Sequence, residues 1–71
     1  METHENITRS EALAFMKQGY KIRHQTYIKG KFLRMDKHGM IKDQENINLG
    51  HEDGMFWQGY HIWPGGWTTF K

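Results

Sequence analysis

The chain has 71 residues, ten Lys and Arg against eight Asp and Glu, five His, no Cys and a formal net charge of +2. This length holds one domain at most, the missing cysteine excludes disulfides and thiolate metal sites, and the charge is far below that of a protein built to grip duplex DNA by counterion release. No apolar run approaches the roughly 20 residues of a membrane span, and the polar start, Met1 to Asn6, lacks a signal-peptide core. The expectation is a single domain over residues 1–71, with 1–6 a disordered tail.

The clearest element is a helix near the start. Thr8-Arg9-Ser10-Glu11 reads as a capping box, in which the Thr8 hydroxyl accepts from the amide three residues on and Glu11 reaches back. Ile7 can staple onto Ala12, and Ala12, Leu13 and Met16 share a face with Phe15 beside them. Lys17 suits the negative end of the helix dipole, and Gly19 supplies the left-handed stop. About ten residues are too few for a stable isolated helix, so it must dock.

An antiparallel sheet is the expected dock. Tyr20, Ile22 and His24 alternate with Lys21 and Arg23, the period of a half-buried strand. Lys29-Gly30 is a turn candidate, Lys31 to Met35 a second strand, and Asp36-Lys37-His38-Gly39 a turn leading to a third strand at Met40 to Lys42. Asp43 to Gly54 reads as a loop with a short strand at Ile47 to Leu49. Met55 to Ile62 is read as a strand weakened by Gly59, Trp63-Pro64-Gly65-Gly66 as a turn, and Trp67 to Phe70 as a terminal strand. The fold class is therefore α+β, a short N-terminal helix packed on a small antiparallel sheet.

Three Trp, three Tyr and four Phe are more than so small a core can hide. Some are expected at a subunit interface or in a pocket, where Trp and Tyr are favoured. A core of this size also seldom supplies more than roughly 3–5 kcal/mol, which points to self-association.

Catalytic chemistry finds little support. His51-Glu52-Asp53 with His61 looks ligand-like, but no familiar zinc spacing is present. Ser10, the only serine, lies in the helix cap, and Glu45, Glu52 and Asp53 have the composition of a solvated turn. The glycines punctuate turns rather than build a phosphate loop. The informative constellation is basic and aromatic. Arg23, Lys29, Lys31 and Arg34 fall on or beside the first hairpin, with Tyr27, Phe32, Trp57, Tyr60, Trp63 and Trp67 near in sequence or in the last segment. Cations hold phosphates and aromatic faces stack bases, as a nucleotide pocket needs. The alternative is that the rings are core and interface and the cations a solvated face.

Glu11-Ala12-Leu13, Met16-Lys17-Gln18-Gly19, Lys21-Ile22-Arg23, Tyr27, Lys29-Gly30, Phe32-Leu33 and Gly66-Trp67 follow one another in an order that resembles the Thoeris anti-defence protein 2 family of phages. The likeness covers positions 8 to 35 and, loosely, the last few residues. The family usually has Trp where this chain has Tyr27, and commonly an acidic residue at Gly66. The resemblance implies a sponge acting in the host cytoplasm. Such proteins are homo-oligomers, dimers or tetramers, that sequester a cyclic nucleotide-like immune signal, a glycocyclic ADP-ribose or a cyclic oligonucleotide. They do so without chemistry, cofactor or metal. Arg23 and Tyr27 fall on the family's most recognisable motif. They are the expected ligand-binding residues, joined by Trp57 and Trp67 from the last segment, with Arg23 on phosphate and the rings on base or ribose. Membrane and duplex nucleic acid are not expected partners. Two other classes remain open: a protein-binding inhibitor of a host defence or replication protein, and a small nucleotide-directed enzyme.

Overall fold

The computed structural model describes residues 3–71. Strand β1 (His4–Ile7) leads directly into helix α1 (Arg9–Lys17). The helix starts where its cap dictates. Thr8 Oγ1 accepts from the Glu11 amide at 3.1 Å, and Glu11 Oε1 accepts from the Thr8 amide at 2.9 Å. Past its C-cap Gln18 stands Gly19, whose φ of +97° no β-carbon favours and whose amide donates to the Met16 carbonyl. Ala12 and Met16 are its buried face, with Leu13 partly buried against the same core.

The remaining strands are β2 (Lys21–His24), β3 (Leu33–Met35), β4 (Met40–Asp43), β5 (Asn48–His51) and β6 (Trp67–Phe70). They form one six-stranded antiparallel sheet in the order β1-β6-β2-β3-β4-β5. The last strand is thus interior: β6 lies between β1 and β2, which run parallel to each other and are joined by α1. Cross-strand partners share a face. Ile22 opposes Leu33 and Thr69, His24 opposes Trp67, and Met35 opposes Ile41. These side chains point toward α1, which packs on β6, β2 and β3. The core is Ala12, Met16, Ile22, Leu33, Ile41, Trp57 and Trp67.

Two expectations are corrected. Residues 4–6, expected in a disordered tail, are strand, because β6 offers them a ladder that the local sequence cannot reveal; Met1 and Glu2 lie outside the described residues. A bulge places His4 opposite Thr69 and Ile7 opposite Trp67, and Asn6 takes the left-handed φ of +56° that asparagine tolerates. Met55 to Ile62, expected as a strand, is helical: α2 (Met55–Gln58) runs into a 3₁₀ turn, Gly59–Ile62. This arrangement brings Phe56, Trp57, Tyr60 and Trp63 against the core. Arg9 pins the segment to α1. Its Nη2 donates to the Trp57 carbonyl at 2.8 Å, its guanidinium lies 4.8 Å from the Trp57 ring centre, and its amide donates to the Pro64 carbonyl.

Candidate ligand-binding site

Beyond the end of β2 the chain turns away from the sheet, and this turn is built around His24. The buried imidazole takes one tautomer. Its Nδ1 accepts from the Thr26 amide at 3.2 Å, so Nε2 carries the proton and donates to the Gly65 carbonyl at 2.9 Å. The ring is stacked on Trp63, 4.2 Å between centres and 12° between planes. The Gln25 amide donates to the Gly66 carbonyl and the Tyr27 amide to the His24 carbonyl. These contacts tie the loop after β2 to the turn before β6.

Between these two segments and β1 lies a cavity of about 340 Å³, lined by Glu5 and Asn6, by Arg23 to Gln25, by Tyr27 to Lys29, and by Gly66 and Thr68. Gly66 keeps it open. At φ +83° it suits glycine, and a β-carbon there would lie 2.9 Å from Gln25 Nε2 and 3.1 Å from His24 Nε2. Arg23 and Lys29 are exposed and cationic, Glu5 is the one carboxylate of the lining, and Gln25 and Asn6 add amides. Lys31 Nζ sits 4.8 Å from the centre of the Tyr27 ring, adding a third cation nearby. The Tyr27 hydroxyl donates to Tyr60 at 2.8 Å. Burial, then that hydrogen bond, raise its pKa above the ordinary phenol range. The ring therefore offers surface and shape, with its proton firmly held.

Of the four expected site residues, the structure brings two together. Arg23 and Tyr27 line the same cavity. Trp57 and Trp67 do not join them, being 1% and 0% exposed in the core. Trp67 instead supports the site from below: it lies 6.0 Å from Tyr27 and 4.9 Å from His24, and its Nε1 donates to the Trp63 carbonyl. Trp57 backs Trp67 at 5.5 Å. Lys29 carried a signal in the sequence as part of the basic cluster. Glu5, Asn6 and Gln25 carried none, because their place depends on β1 and on a loop closed by distant residues.

The histidine constellation does not assemble. His51 Nδ1 is 3.8 Å from Asp53 Oδ2, Lys17 pairs with Glu52 at 2.9 Å, and His61 hydrogen-bonds the Gln58 carbonyl. Among the described residues no three His, Asp or Glu side chains group as metal ligands, and no helix is long and apolar enough to cross a membrane. No family model, curated protein or solved structure matches the chain.

Proposed function

We propose that the protein binds and sequesters a small anionic nucleotide-like molecule, a cyclic nucleotide immune signal in keeping with its resemblance to phage anti-defence sponges. The observation that carries this reading is the meeting of Arg23, Lys29 and Tyr27 at one cavity otherwise lined largely by hydrogen-bonding groups. The two cations supply charge-assisted bonds to phosphate oxygens. The amides of Asn6 and Gln25 suit the hydrogen-bonding edge of a base or ribose. The volume lies at the lower end of the roughly 300–1,000 Å³ typical of small-molecule sites. One nucleotide moiety fits it, and a larger cyclic ligand extends beyond it, onto a second subunit of a homo-oligomer. Sequestration asks only for tight binding, and preorganisation supplies much of that. Here it comes from the His24, Trp63 and Gly65 contacts that fix the cavity wall.

The test is incubation of the pure protein with a mixture of cyclic nucleotides, removal of unbound material, and heating to release what was held. Intact release supports the sponge, an altered product indicates an enzyme, and no retention favours a protein partner. Arg23→Ala is the paired variant. It should weaken binding and flatten its salt dependence while leaving the unfolding temperature nearly unchanged, because Arg23 is exposed. Unfolding of Arg23→Ala with unchanged affinity per folded molecule would make the arginine structural and move the ligand elsewhere.

A further inference from the structure

The face of the sheet opposite α1 carries a second basic and aromatic surface. Register places Lys21 opposite Phe70, Arg23 opposite Thr68, and Arg34 opposite Lys42, all on the side away from the core. Phe32 precedes Leu33 and so points to the same side. Its ring meets Phe70 edge to face at 6.0 Å. Both rings are only partly buried, and neither belongs to the hydrophobic core cluster or the apolar side chains packed on it. Cations crowd them. Lys21 Nζ lies 5.5 Å from the Phe32 centre and 5.9 Å from Phe70, and Arg23 lies 5.6 Å from Phe70. Asp36 pairs with Lys42 at 3.4 Å, and Glu5 on β1 lines the cavity with Arg23. Arg34 donates to Asn46 and has no carboxylate partner among the described residues.

We infer that this open face binds single-stranded nucleic acid, with Phe32 and Phe70 stacking bases and Lys21, Arg23 and Arg34 holding phosphates. Two rings standing outside the core, flanked by Arg23 and by Lys21, whose Nζ donates to the Lys71 carbonyl at 3.2 Å, suit a ligand that is flat, apolar on its faces and anionic along its backbone. Duplex hides its base faces and cannot use the rings. A second copy of this chain fits poorly, because a two-fold contact through this face would set one cationic patch against the same cationic patch. An acidic peptide satisfies the cations and leaves the rings idle. The inference does not depend on the cavity ligand: only Arg23 is common to both, and Phe32, Phe70, Lys21 and Arg34 stand outside the cavity.

The experiment is fluorescence anisotropy of the full chain with a labelled oligothymidylate of about ten nucleotides. Three phosphate contacts predict a log–log salt slope of about −2. Phe32→Leu and Phe70→Leu should each weaken binding by roughly five-fold or more, while Phe70→Tyr, which keeps the ring, retains it. Arg34→Gln should lower the slope by about 0.7. Lys29→Gln, in the cavity, should leave oligonucleotide binding unchanged, which separates this surface from the nucleotide site. Circular dichroism and thermal melts of each variant confirm that loss of binding is not loss of fold. The inference is overturned if the folded wild-type chain shows no binding at low salt, or if duplex binds equally well. It is also overturned if the leucine variants bind as tightly as wild type and polyglutamate competes, which would make the face a site for acidic protein.

Discussion

At the scale of single residues, the structure separates positions that hold the cavity open from those that merely fill space. Gly66 is the sharpest case. Alanine there would occupy a disfavoured backbone region and press its β-carbon on Gln25 and His24. Gly66→Ala is expected to lower stability by about 1–2 kcal/mol and to weaken ligand binding, read by chemical denaturation and by titration of the same preparation. A variant with normal stability and normal binding would show that the turn relaxes at no penalty. Thr69 makes the opposite point. It is wholly buried in β6, and its hydroxyl has no hydrogen-bond partner among the described residues. Thr69→Val keeps the shape and removes the unpaired group, so the midpoint of denaturation should rise, by about 1 kcal/mol in stability. A fall of that size would reveal a partner for the hydroxyl.

At the scale of elements, the β3–β4 hairpin carries a built-in pH dependence. Asp36 Oδ1 accepts from the amides of Met40 and His38, at 2.9 and 2.8 Å, and Oδ2 faces Lys42. The Met40 amide, foremost, then the His38 amide and Lys42, outweigh partial desolvation and hold its pKa below the ordinary aspartate value. A depressed folded pKa means that this contribution is complete above the unfolded value and is lost as pH falls through the folded one. Thermal melts between about pH 6 and about pH 3 should show wild type losing more stability than Asp36→Asn; parallel curves would place the acid sensitivity elsewhere. This hairpin was also the most legible part of the sequence, because its signal is local: a turn, Asp36 to Gly39, closed by glycine between two short strand-like runs. The helix was legible for the same reason, through Thr8, Glu11 and Gly19. Residues 55–62 misled because their aromatic composition favours a strand while their spacing does not. Phe56, Tyr60 and Trp63 recur at four and three residues, the helical period, and the period describes the fold better than the composition does. His4 to Ile7 could not be read locally, since its pairing partner lies about sixty residues away. That Arg23 and Tyr27 share one cavity agrees with their pairing in the sequence, which rested on the resembled motif and on their nearness along the chain. Trp57 and Trp67 were not separable from true lining residues, because a large aromatic in a core and one in a pocket look alike in a sequence.

At the scale of the whole molecule, the question is what completes the cavity. Its rim includes Ile28, a large apolar side chain 78% exposed, and one wall is β1, an edge strand with a free outer side. Three further large apolar side chains, Ile47, Met55 and Ile62, are 52%, 93% and 65% exposed. Scattered exposed apolar residues are ordinary. Ile28 is different because it stands at the cavity of about 340 Å³, where covering it would both bury apolar surface and enclose the proposed ligand. The expectation is a homo-oligomer whose second subunit closes over Ile28. Multi-angle light scattering at micromolar concentration should give at least a dimer mass. Ile28→Asp, a change at an exposed position that leaves the monomer fold intact, should lower that mass and weaken binding of the cyclic nucleotide together. If the mass falls while affinity holds, Ile28 is interface but the partner adds nothing to the site. If wild type is a monomer at every concentration yet binds tightly, the cavity of one chain is sufficient, and the small core is stable without a second copy.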